Sequence, residues 1–243
     1  EADSVTIDPQ IPVDNIITIE CDLTNYRQDG HIDHHRLGDA GYDMPPARYF
    51  EGSSIGQTIL FLWDNDIEMP DLDMQHCRMV AAADHCLSDA YLGKCEGVDP
   101  EELMEWRIRS RAEFQNKDPE HLLDTVKTSI NLLEDLVEEN ITTKENFGKQ
   151  PIYDLTVFES GSLPEAPEAA ARLGVAVQAL TKDKEGNEKL VLMGNTEPDS
   201  IKAWMQDKED KGLKVYGAPE RGYAGTYLTP EYKAKYIQGD EKE

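Results

Sequence analysis

Two short stretches concentrate the side chains that bind metals. The first is His31-Ile-Asp-His-His-Arg36, with Asp22 upstream at the close of a β-branched run; the second is Asp84-His85-Cys86. Imidazole and carboxylate together suit Mn²⁺, Zn²⁺ or Fe²⁺, and the number of carboxylates tilts the choice toward the harder Mn²⁺, with Mg²⁺ or another divalent ion open. A lone His-His pair is weak, because core or surface histidines are common. Asp33-His34-His35 after a short apolar entry, joined by a strand-end Asp22 and a later Asp84-His85, reads as a metal site. Cys86 beside it reads as a buried thiol in preference to a soft ligand. No glycine-rich loop ending in Lys-Ser/Thr and no Gly-x-Ser-x-Gly elbow occurs, so the P-loop NTPase and serine hydrolase readings fail.

These residues need elements to hold them. Asn15-Ile-Ile-Thr-Ile-Glu20 reads as a buried strand whose carboxyl end presents Asp22. The glycine- and proline-bearing stretch from Leu37 to Gly52 reads as a long loop, with Tyr42 and Tyr49 pinning it. Ser53-Ser54 caps a helix from Ile55 to about Asn65, and Met74 to Gly93 reads as one helix. Asp99-Pro100 and Asp118-Pro119 start two more, ending near Gln115 and Asn140, each with an N-cap, a proline and first-turn acids. Beyond Pro151 the pattern changes. Ile152–Phe158 alternates as a strand, Glu165–Leu173 reads as a helix, and Val175–Leu180 and Lys189–Met193 form a hairpin across Lys184-Glu-Gly-Asn187. Ser200–Gly212 reads as an amphipathic helix leading to Leu213–Tyr216, and Gly217–Gly225 as a flexible glycine-rich turn carrying Arg221. Trp63, Trp106 and Trp204 lie on amphipathic helices and read as core. The expected architecture is α/β: a parallel-sheet domain over residues 1–118, a helical connector over 119–150 and a smaller α+β domain over 151–243.

Composition narrows the class. The 243 residues carry 49 acidic and 24 basic side chains, a formal net charge of −25, which excludes a protein that coats long nucleic acid. At 39% hydrophobic the chain has material for a core. No apolar run reaches the ~20 residues of a membrane helix, and Glu1–Ser4 shows no signal-peptide pattern. The four cysteines, Cys21, Cys77, Cys86 and Cys95, form no CxxC pair and read as reduced thiols, which points to a cytoplasmic protein.

Ile32-Asp-His-His-Arg36 resembles the signature of the DHH phosphoesterase superfamily, which includes RecJ-type exonucleases, oligoribonucleases, cyclic-dinucleotide phosphodiesterases and manganese pyrophosphatases. Asp22 in Cys-Asp-Leu-Thr-Asn25 is similar to the family's metal-bridging aspartate, Ser53-Ser54 to its serine-rich helix start, and Asp84 to its fourth-motif aspartate. The likeness covers about residues 13–95, with a looser one over 152–228. It implies metal-activated hydrolysis of a small phosphorylated substrate, a phosphodiester or phosphoanhydride of nucleotide type, in a cleft between the domains. Asp22, His34 and Asp84 would converge on the cation, and Asp33 would orient an imidazole from behind. His35 and Arg36 would contact phosphate, and Ser53, Ser54, Arg221, Gly222 and Gly225 would bind substrate. A homodimer is left open.

Two departures stand beside the likeness. The family's first motif, a His followed by Asp-x-Asp, does not precede Asp22; it lies upstream of Glu1 or the site is remodelled, with His31 and His85 as substitute ligands. The glycine-rich stretch of the last domain has no His. The alternative reading is a DHH-like protein that binds or sequesters a nucleotide without hydrolysing it.

Overall fold

A computed structural model describes residues 4–6, 16–25, 27–219 and 222–236. It is mixed α/β and divides into two compact units, Glu1–Met104 and Glu105–Glu243. The division falls earlier than the expected boundary at 118, and the expected connector belongs to the second unit.

In the first unit, β1 (Ser4–Val5) pairs in parallel with β3 (Asp22–Leu23), and β2 (Ile17–Ile19) in parallel with β4 (Gly30–Ile32). The expected parallel sheet is present among the described residues as these two short pairs. In β2 it is Thr18 that is buried, while Ile17 and Ile19 are exposed, so the strand is not the fully buried one its β-branched run suggests. A short 3₁₀ turn (Pro46–Arg48) leads into α1 (Tyr49–Gly52), so part of the expected loop is helical. Buried Tyr49 donates its hydroxyl to the Glu96 carbonyl, pinning that turn.

Helix α2 (Ser54–Asp64) starts where expected because the Ser53 hydroxyl accepts the Gly56 N–H at 3.1 Å. Helix α3 (Met74–His85) is capped by Asp73, which accepts the Gln75 and His76 N–H groups. The single helix expected over 74–93 is two, because Cys86 leaves helical geometry at φ −152°, ψ 51° before α4 (Leu87–Tyr91). Helix α5 (Pro100–Gln115) begins as its Asp-Pro start requires.

In the second unit α6 (Pro119–Glu138) starts at the Asp118 cap. Strand β5 (Ile152–Asp154) stops short of the expected Phe158, because the Asp154 carboxylate accepts the Thr156 N–H and turns the chain into a 3₁₀ turn. Then follow α7 (Ala166–Leu173), β6 (Ala176–Lys182), β7 (Glu188–Gly194), α8 (Pro198–Asp210), β8 (Val215–Ala218), β9 (Tyr223–Tyr227) and α9 (Pro230–Tyr236). The sheet order is β5-β6-β7-β9-β8, with β5 and β6 parallel and the remaining neighbours antiparallel. Alternation along the strands builds both faces. Val177 and Ala179 join Leu133, Ala169 and Ala170 of α6 and α7, whereas Leu190 and Leu192 join Ile201 and Trp204 of α8. Trp204 Nε1 donates to Gln178 Oε1 at 2.8 Å, so the buried indole is satisfied. No helix among the described residues is long and apolar enough to cross a membrane.

Candidate metal centre

The centre is built at the carboxyl ends of two adjacent parallel strands. Ile19 of β2 lies opposite Ile32 of β4, so Glu20 and Asp33, the next residues, leave the pair at the same end. That end of a parallel sheet is where ligands gather. Glu20 takes a left-handed φ of 53° and its N–H donates to the Ile32 carbonyl at 3.0 Å, which ties the turn back to β4.

Asp33 organises the following loop. It is 6% exposed, and its Oδ1 accepts the backbone N–H groups of His34 (2.7 Å) and His35 (3.1 Å) and pairs with His35 Nδ1 at 2.6 Å. Burial pushes the Asp33 carboxyl up, but the His35 ring and the two N–H donors outweigh it and hold it below the usual carboxylate range. A carboxylate on Nδ1 puts the imidazole proton there and leaves the His35 Nε2 lone pair free. The Asp33 carbonyl accepts from Gly41 N–H and Gln57 Nε2, which draws the 37–45 loop over the site. Only glycine fits at 41, since a Cβ there would stand 1.9 Å from the Gly52 carbonyl and 2.7 Å from His34 Cβ.

Ligand atoms of Glu20, His34 and His35 all lie within 4.8 Å of one another. His34 Nδ1 is 3.7 Å from Asp84 Oδ2, at the last turn of α3, and 3.4 Å from the Ser54 hydroxyl. Burial, then the neighbouring His35 and His85 rings, pushes His34 down to about 4, so it is neutral with a lone pair to offer at physiological pH. Burial, then Glu20, pushes Asp84 up to about 6. Carboxylates crowded against the neutral His34 ring and its neighbouring imidazoles form the donor set a divalent cation satisfies. His85 adds to this. Its Nε2 donates to the Met44 carbonyl (2.9 Å), its ring stands edge-on to His34 at 5.4 Å, and its Nδ1 is buried without a hydrogen-bond partner. The residues present therefore fit a divalent metal.

Of the residues the sequence singled out, His34, His35, Asp33 and Asp84 come together, and Asp33 orients His35 as expected. Asp22 does not join them. Its Oδ2 takes Arg36 Nη1 at 2.9 Å on the surface, and it belongs to neither group of ligand atoms among the described residues. Glu20 stands in its place, because β2 ends at Ile19 and Asp22 starts a different strand pair. The first acid after the β-branched run was the signal. The Arg36 backbone N–H, meanwhile, donates to Asp39. His31 belongs to a second group, with Asp33 and Asp39.

Ser53 is fully buried and bonded within its own turn, a helix cap unavailable to substrate, whereas Ser54 reaches His34. Cys86 sits with its Sγ 3.1 Å from Cys95 Sγ, in neither ligand group. In the second unit, Arg221 lies outside the described residues. Gly222 closes a turn through its N–H to Pro219. Gly225, expected in a loop, is inside β9, paired with Val191 and Tyr216; a Cβ there would stand 2.5 Å from the Tyr216 ring. Ring and neighbouring strands cover it, so it is a sheet glycine and no phosphate loop. No protein-family model, no curated protein and no solved structure matches the chain.

Proposed function

We propose that the first unit is a divalent-metal phosphohydrolase, DHH-like in layout and cytoplasmic, that cleaves a small phosphodiester or phosphoanhydride of nucleotide type with Mn²⁺ as its ion. The observation that carries this reading is the gathering of Glu20, His34 and His35 ligand atoms within 4.8 Å, with Asp84 3.7 Å from His34. A cation held there supplies Lewis-acid neutralisation of phosphoryl charge and acidifies water toward neutrality.

The chain's own groups do the rest. His34 stays neutral and so donates a lone pair without first losing a proton. Asp33 fixes the His35 ring with its proton on Nδ1. Arg36 and Asp22 form an exposed pair of a kind worth about 0–1 kcal/mol. That makes the guanidinium cheap to release to a phosphoryl group, which its fork grips through two oxygens.

The test is hydrolysis of pyrophosphate, linear and cyclic dinucleotides and nucleoside polyphosphates by purified protein with Mn²⁺ and with EDTA. Metal-dependent release of phosphate or nucleotide from one class, abolished in His34→Ala, is the expected result. Tight nucleotide binding without turnover would instead identify a nucleotide-sequestering protein.

A further inference from the structure

We infer that His31, Asp33 and Asp39 form a second divalent-cation site, separate from the Glu20/His34/His35 centre and taking a borderline transition ion of the Zn²⁺ class. The argument begins with the His31 tautomer. His31 Nδ1 is 2.9 Å from the Thr18 hydroxyl, and Thr18 is buried in β2. That hydroxyl has one proton, and both of its other neighbours, Gln28 Oε1 at 3.1 Å and the Gly30 carbonyl at 3.5 Å, accept hydrogen bonds. The hydroxyl therefore donates to one of them and accepts from His31, which places the imidazole proton on Nδ1 and leaves a lone pair on Nε2.

That lone pair faces two carboxylate oxygens, Asp33 Oδ2 at 3.6 Å and Asp39 Oδ1 at 3.7 Å, and the three atoms lie within 4.8 Å of one another. Both oxygens are the unused halves of their carboxylates. The hydrogen bonds of Asp33 fall on Oδ1, and the Arg36 N–H is taken by Asp39 Oδ2. Asp33 is more than nine-tenths buried as a residue, which favours a compact arrangement around its carboxylate. These three atoms need a positive charge among them: a proton on Nε2 would draw one oxygen in to hydrogen-bond distance, whereas a metal ion holds all three further apart.

The spacing agrees with the chemistry. At 3.6 and 3.7 Å the contacts are too long for hydrogen bonds. Two ligands about 2.0–2.1 Å from a tetrahedral zinc stand about 3.4 Å apart, close to what is seen here. One imidazole nitrogen favours Zn²⁺ or Mn²⁺ over the all-oxygen ions Ca²⁺ and Mg²⁺. Asp33 would then act from both oxygens, one fixing His35 and the other holding this ion, which couples the two sites through a single buried carboxylate.

The test is Zn²⁺ stoichiometry by equilibrium dialysis and elemental analysis of metal-stripped protein, in wild type, His31→Gln, Asp39→Asn, His34→Ala and the His31→Gln/His34→Ala double variant. The expected result is two equivalents for wild type, one for each single variant and none for the double. One equivalent lost in His31→Gln and Asp39→Asn but kept in His34→Ala supports this site and removes the first centre. One equivalent lost only in His34→Ala, or two that survive His31→Gln and Asp39→Asn, overturns it. Because a His31 variant gives up its bond to Thr18, the wild type supplies an independent readout. In ¹⁵N-labelled protein, Zn²⁺ should shift the His31 Nε2 resonance, and an unmoved resonance at saturation overturns the site.

Discussion

Asp84→Asn should make the metal-free protein more stable and the metal-loaded protein less so. Burial and the nearby Glu20 carboxylate push Asp84 from 3.8 up to about 6. At 1.36 kcal/mol per pH unit that bounds the strain near 3 kcal/mol, and because 36% of the side chain is exposed, screening reduces it to about 1–2 kcal/mol. The sign follows from where the proton sits. The folded state keeps it up to about pH 6, whereas the unfolded chain gives it up above 3.8. The penalty therefore grows from pH 3.8 to 6, is complete above 6 and vanishes below 3.8. Asparagine mimics the protonated side chain and escapes it. Urea unfolding in EDTA should show Asp84→Asn ahead by about 1–2 kcal/mol at pH 7.5, with the gain shrinking steadily toward pH 4.5. With Mn²⁺ at a hundred times its Kd the wild type gains about 2.7 kcal/mol, and the order should reverse because the variant has lost a ligand. A variant destabilised in EDTA by the same amount at both pH values would refute the reasoning.

Metal affinity at the centre should fall as pH drops below about 6, where Asp84 takes its proton, while His34 protonates only near 4; Mn²⁺ titrations from pH 5 to 8 check this, and Asp84→Asn should weaken the dependence. Gly52→Ala would set a Cβ 2.7 Å from the His85 ring and 3.1 Å from Met44 Cβ. It should cost about 1–3 kcal/mol in urea unfolding and weaken Mn²⁺ binding by pushing His85 off the Met44 carbonyl. Glu168, buried and bonded to Arg107 and Arg111, should cost about 1–3 kcal/mol when replaced by alanine, because Arg107 loses the carboxylate its fork grips while Arg111 keeps Glu165; calorimetry reads the loss.

What could be read from the residues was what is local. Asp99-Pro100, Asp118-Pro119 and Ser53 mark helix starts because a cap and its N–H partner lie within three residues. Asp33-His34-His35 was legible for the same reason, since the carboxylate that orients the ring is two positions away. The sequence pointed to Asp22 where the structure gathers Glu20 with His34 and His35, because which acid faces the histidines depends on the register of β2 against β4, a pairing across the chain. Gly217–Gly225 looked like a loop by composition. Gly217 and Gly225 instead serve close strand packing, with the Tyr216 ring occupying the space a side chain at 225 would need, and Gly222 alone closes a turn. The breaks at Cys86 and after Asp154 come from single residues that interrupt otherwise good patterns. Of the His31 group only Asp39 went unread as a ligand, because it reaches His31 only after the loop folds back.

The most direct measurement is an anomalous difference map at the manganese edge from crystals grown with Mn²⁺ and a non-hydrolysable phosphoryl analogue. The account expects a peak within coordination distance of Glu20, His34 and His35, beside Asp84, with the analogue's phosphoryl oxygens against it and Arg36 turned from Asp22 toward them. Manganese bound elsewhere, or an analogue bound away from His34, would contradict it.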